Sequence, residues 1–153
     1  MRPSRLVVGE CRGAEALDVL LAMNTGHDGS MTTIHANSPR DALDRLVTLA
    51  AMAEEHLPAE VLTKMVARTL EIVLQLRVDK TGRRRVASVF EVAGVELGGG
   101  APVVTGNDLW VLDPQRGCLT WTGIRPRVID KMAAKGIPYA LPPDQLARRS
   151  AGA

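Results

Sequence analysis

Residues 5–16, RLVVGECRGAEA, decide how the chain folds. Leu6, Val7 and Val8 form a short continuous apolar run that stops at Gly9. Such a run suits a strand buried on both faces, and therefore a parallel sheet inside an α/β layer. Strong helix formers follow in AEALDVLLAM, with Leu17, Leu20 and Leu21 on one face. Glu10 stands at the exit of the strand. In open parallel sheets, ligands collect outside the carboxyl ends of the strands.

Downstream, NTGHDGS (residues 24–30) is turn chemistry, and MTTIHA (31–36) reads as a second short strand ending at His35. Strand, helix and strand make a unit that requires a right-handed parallel crossover. A second helix is announced by Ser38 as N-cap, Pro39 at the first helical position and Asp41 three after Ser38. Its inward stripe is Leu43, Leu46 and Ala50. Pro58 starts a third helix, with Val61, Leu62, Met65 and Val66 inward. From Glu71 the period changes to two. EIVLQLRV sets Ile72, Leu74, Leu76 and Val78 against a wetter face, TGRR turns, and RVASVFEV returns as a hairpin. GVELGGGAPVV reads as a flexible connection. LWVL and CLTW flank DPQRG as a second hairpin, and Pro126 opens a final helix through Lys135, closed by Gly136. The expected organisation is residues 1–95, 96–149 as a hairpin and helix extension, and 150–153 as a disordered tail.

Composition sets the outer limits. The 153 residues are 46% hydrophobic and 24% charged, enough for one domain with a core. Aromatics are only 3%, so the core is aliphatic and a stacking platform for single-stranded nucleic acid is not expected. Charge is divided: residues 1–60 carry 5 basic and 9 acidic side chains, and residues 61–153 carry 14 and 8. The basic part could meet an acidic partner or simply be a solvated face. Cys11 and Cys118 fit no metal or redox spacing and read as reduced thiols. No signal peptide is apparent, and no apolar run is long enough to cross a bilayer.

Glu10 and His35 stand at the ends of two strands joined by one crossover, which brings them close. A carboxylate there can bind Mg²⁺ through water or orient an attacking water. An imidazole can donate a hydrogen bond to a phosphate oxygen, and Arg12 offers a guanidinium fork suited to phosphate. Ser30, Thr32 and Thr33 add hydroxyls. The set leans toward nucleotide phosphate chemistry. Each member also has a plain structural role: Glu10 as acceptor of helix-start amides, His35 as a structural histidine, Arg12 as a surface ion-pair partner. His27 reads as a turn residue, and Met23 and Met31 as core filler. Zinc on Cys11, His27 and His35 would lack any recognised ligand spacing.

The blocks VVGECRGAEA and NTGHDGSMTTIHANSP resemble the Walker B and His-box region of type II and type IV secretion and pilus-assembly ATPases. The likeness by eye is to the CpaF/TadA-type ATPase of tight-adherence (Flp) pili. FEVAGVE and TGIRP resemble the end of the same family. The resemblance implies an α/β fold with a partial RecA-like P-loop NTPase core, followed by antiparallel hairpins and a C-terminal helix. It implies ATP and Mg²⁺ as ligands and a cytoplasmic hexameric ring, peripheral at the inner face of the cell membrane beside platform proteins of a pilus or secretion system. Glu10 would be the Walker B glutamate at Mg²⁺ and the catalytic water, and His35 the His-box residue at the terminal phosphate. Arg12, Thr32 and Thr33 would support the nucleotide.

The chain departs from the family in one respect. It contains no G-x-x-x-x-G-K-[ST], and no lysine precedes Lys64. Without that loop most of the triphosphate's binding energy is missing. The expectation is a truncated secretion ATPase, incompetent alone, with an unpaired flank beside RLVVG that lowers stability or drives association. Two alternatives stand beside it: a non-catalytic module that joins a ring of full-length relatives, and an unrelated α/β protein that binds an anion. Arg83, Arg84 and Arg85 read as an exposed hairpin tip rather than a nucleic-acid surface.

Overall fold

The predicted crossover forms. In the computed structural model, which describes residues 3–54 and 56–139, β1 (Val7–Val8) and β2 (Met31–Thr32) pair in parallel, Val7 with Met31 and Val8 with Thr32. The helix α1 (Glu15–Asn24) connects them. The ladder is short, but irregular bonds extend it. Met31 N–H donates to the Leu6 carbonyl, and Leu6 N–H to Ser30 Oγ, each at 2.9 Å. Burial on both faces is not met. Val7 is 72% exposed and its partner Met31 59%, so Met31 is not core filler. A pair of strands has one face for the helices, and side chains that alternate to the other face stay in water.

Ser38 starts α2 (Pro39–Ala51) as expected: its backbone is extended and its Oγ accepts the Asp41 N–H at 3.1 Å. Leu43, Leu46 and Ala50 are buried, joined by Leu49. Leu62 and Val66 are buried on α3 (Ala59–Thr69), whereas Val61 and, on α1, Leu21 are 44% exposed. Neither residue faces inward, because each helix packs by a stripe narrower than its apolar content. The three helices pack on one another, and Leu20, Leu43, Leu46 and Leu62 are buried on them.

The remaining strands are β3 (Ile72–Val78), β4 (Arg84–Gly98), β5 (Ala101–Asp113) and β6 (Cys118–Trp121), in one sheet of that order. Both predicted hairpins form, with β3 against β4 and β5 against β6 antiparallel. The Gly-rich stretch is not a flexible connection. Strand continues to Gly98 and resumes at Ala101, and the turn is made by Gly99 and Gly100 at φ +59° and +86°. In β3 the sidedness is the reverse of the expectation: Leu74, Leu76 and Val78 are 58%, 60% and 65% exposed. Phe90 and Ser88 are buried on the other face, opposite Val73 and Gln75. Arg83, Arg84 and Arg85 are exposed at the hairpin tip.

The described residues form two compact groups, one within 1–71 and 92–106, the other within 72–91 and 107–153. The first has the helical core described above. The second is centred on Phe90, Leu109 and Trp121. There the final helix, α4 (Val128–Ala134), begins two residues after the buried Pro126 and is followed by Gly136 at φ +71°. The carboxylate of Glu91, only 3% exposed, accepts the N–H groups of Arg127 and Val128, each at 2.9 Å. The architecture is α/β: a parallel pair with helices, then antiparallel hairpins and a short terminal helix. The expected tail at 150–153 lies outside the described residues.

Candidate functional site

Thr33 fixes the exit of β1. Its hydroxyl donates to the Gly9 carbonyl, and its own carbonyl accepts the Cys11 N–H at 2.9 Å. The two bonds bracket Glu10 and aim its side chain. His35, two residues past Thr33, meets it there. His35 Nε2 lies 2.9 Å from Glu10 Oε1. That oxygen is buried, and the contact with the imidazole does not have hydrogen-bond geometry. Arg12 Nε and Nη2 hold the other oxygen, Oε2, at 2.7 and 2.6 Å. The carboxylate is 21% exposed, Arg12 78% and His35 84%, so the acid forms the floor and the two bases the rim.

The Arg12 hydrogen bond is the main cause that holds the Glu10 carboxyl below the usual range. Partial desolvation opposes it, and the charges of Arg12, His35 and Arg45 add to it. The same bond raises the proton affinity of Arg12. Glu10 is therefore ionised across the neutral range.

The plain alternative for Glu10, a cap for helix-start amides, is taken by another residue. Glu15 Oε1 accepts the N–H groups of Arg12 and Gly13 at 2.6 and 2.9 Å. Those bonds, with its own amide, hold its carboxyl low. Thr32 Oγ1 shares a hydrogen bond with the buried Cys11 Sγ at 3.3 Å. His27 Nδ1–H donates to the Ala22 carbonyl at 3.0 Å and is a turn residue. Among the described residues no group of three or more His, Cys, Asp or Glu side chains could hold a metal, zinc included.

One residue beside the site escaped the sequence reading. Arg45 projects from α2, and its charge reaches Glu10. It lines a hollow of about 410 Å³ with His35, Ala36, Asn37, Asp41, Thr48 and Leu49. Its only signal in the sequence is that it is a rare cation in an acidic stretch, on the helix directly after the imidazole.

Residues 1–96 match the family model described as "Type II/IV secretion system protein". A putative conjugal transfer protein of Mycobacterium tuberculosis is 43% identical over 89 residues, 58% of this chain and 25% of that protein. The conjugal transfer protein TrbB of Rhizobium radiobacter is 41% identical over 95 residues, 61% of this chain and 28% of that protein. The crystal structure of the VirB11 ATPase from the Brucella suis type IV secretion system, in complex with sulphate, superposes with a TM-score of 0.55 at 28% identity, covering 60% of this chain and 28% of that one. The chain thus spans about a quarter of the length of these relatives.

Proposed function

The chain belongs to the type II/IV secretion system protein family, and from that premise we propose that it supplies the Walker B and His-box wall of the nucleotide site in a secretion or pilus-assembly ATPase of the CpaF/TadA type. The observation that carries this reading is the contact of Glu10 with His35, a buried carboxylate oxygen against an exposed imidazole. A lone carboxylate oxygen without a hydrogen bond fits Mg²⁺, which takes one or two carboxylates and completes its shell with water and phosphate. Bound Mg²⁺ would neutralise charge developing on the phosphates.

In the proposed roles Glu10 orients the attacking water, and His35 donates to the terminal phosphate. Thr33 positions the Glu10 backbone, while Thr32 and Arg12 line the same edge. ATP would lie against this wall in an oligomeric, hexameric ring in the cytoplasm, at the inner membrane face beside platform proteins. Among the described residues no helix is long and apolar enough to cross a membrane. The sequence holds no phosphate loop, so the chain alone does not turn over ATP.

An ATPase assay of the chain alone, and of the chain mixed with a full-length relative, tests this. The expected result is no turnover alone. Turnover by the chain that vanishes in Glu10→Gln would overturn the claim of incompetence. A second reading, a non-catalytic ring module, draws on the exposed stripe Leu74, Leu76 and Val78. It predicts that the added chain lowers the relative's activity, and that Glu10→Gln lowers it equally.

A further inference from the structure

The end of the β3–β4 hairpin carries charge that the fold does not use. Residues 77–85, RVDKTGRRR, hold 5 basic side chains and 1 acidic one. The single anion, Asp79, is spent inside the turn. Its Oδ1 accepts the Thr81 N–H, the Thr81 hydroxyl and the Arg83 N–H at 2.8, 2.6 and 3.0 Å, and its Oδ2 accepts the Arg85 Nε–H at 3.0 Å. Those bonds, that of the Thr81 hydroxyl foremost, hold its carboxyl well below the usual range. The Asp79 N–H donates to the Arg83 carbonyl at 2.8 Å and closes the turn. Among the described residues the side chains of Arg77, Lys80, Arg83 and Arg84 make no hydrogen bond or ion pair. Apolar surface adjoins these cations. Val78 is the register partner of Arg84, and Leu76 that of Val86, so the four share one face. Leu76 and Val78 are exposed on it.

We propose that this hairpin tip docks on the surface of an anionic phospholipid bilayer, with Leu76 and Val78 entering the headgroup boundary and Lys80, Arg83 and Arg84 meeting the lipid charge. The proposal rests on the reading that the chain works at an inner membrane face, and it names the contact; it does not involve Glu10 or His35. Aliphatic side chains bordered by Lys and Arg suit an interface: the apolar part partitions at the boundary of the acyl chains, and the cations are drawn to the negative surface. The long stems of Lys and Arg lie along the apolar surface while their heads stay among the headgroups. Other occupants match less well. Within residues 72–91 the acids are Asp79 and Glu91, one spent in the turn and one buried against the amides of Arg127 and Val128. A second copy laid stripe on stripe therefore offers the cations no anion. The one aromatic of the hairpin, Phe90, is buried, so the bases of a nucleic acid find nothing to stack on.

The experiment is flotation of the chain with vesicles of equimolar phosphatidylcholine and phosphatidylglycerol, and with vesicles of phosphatidylcholine alone. The double variant Lys80→Gln with Arg84→Gln is compared with wild type and with Lys64→Gln with Arg68→Gln, which removes the same charge from α3. All four residues are exposed, and amide spectra check the fold. Each Lys or Arg near an anionic surface contributes about fivefold in partition, so the hairpin pair should bind about twenty-five-fold more weakly. The other expected results are binding to the anionic vesicles alone, near wild-type binding by the α3 pair, and weakening by added salt. Leu76→Thr with Val78→Thr, which keeps the strand, should also bind more weakly. Equal binding to both kinds of vesicle, equal weakening in the two charge pairs, or full binding by either hairpin variant overturns the proposal. Absence of binding to the anionic vesicles overturns it too, and capture by poly-glutamate in that case assigns the tip to an acidic protein. Turnover assays with a full-length relative use no lipid, so the nucleotide reading stands or falls apart from this result.

Discussion

Glu10 answers to two bases at once, and its two oxygens divide between them. Arg12 holds Oε2 by charge-assisted hydrogen bonds, and His35 faces Oε1. The Arg12 bond is the largest influence on the Glu10 carboxyl, so Arg12→Gln should raise the Glu10 pKa toward the ordinary carboxylate value. Side-chain carbon NMR across an acid titration reads this directly, and an unchanged Glu10 would contradict the bond. The stability consequence has a definite sign. A carboxyl whose folded pKa is depressed stabilises the fold fully above its unfolded value, and that contribution disappears as pH falls through the folded value. Wild type should therefore exceed Arg12→Gln in thermal stability at neutral pH, and the difference should vanish in acid below the usual carboxylate range.

Among the elements, α2 is the best specified locally. Ser38 caps it, Pro39 opens it, and its inward leucines follow the helical period. Ser38→Ala should cost about 1 kcal/mol, measured by urea denaturation. The cap also holds the start of the helix that carries Arg45, so the same change should broaden the Arg45 Nε–H signal. What the sequence made legible follows the range of the interactions. Caps, the crossover and both hairpins depend on neighbours in the chain and could be read. The closeness of Glu10 and His35 could be read too, because one crossover joins their strands. The sidedness of β3 could not: alternation shows that Leu74 and Gln75 face opposite ways, but not which of the two faces water. The Gly99–Gly100 turn was hidden by its composition, since the same glycines serve a loose linker or a tight reversal. Arg45 was hidden because a charged residue on a helix surface has solvation as its ordinary explanation.

At the scale of the whole molecule, apolar surface remains uncovered on each of the two groups: Val7 and Met31 on one, Leu74, Leu76 and Val78 on the other. Exposed apolar patches drive association. Sedimentation velocity should show concentration-dependent self-association, and the pair Leu74→Thr with Leu76→Thr should reduce it while keeping the strand, because threonine favours extended backbone. A sedimentation profile independent of concentration in the wild type would count against this. The two thiols lie in these two groups in opposite states, Cys11 buried and 1% exposed, Cys118 open to solvent. One maleimide dose should mark Cys118 within the dead time, while Cys11 is alkylated only when the corner holding Glu10 swings open. The native chain thus carries its own stopwatch for breathing at that corner, with the fast-reacting sulfur as the internal standard.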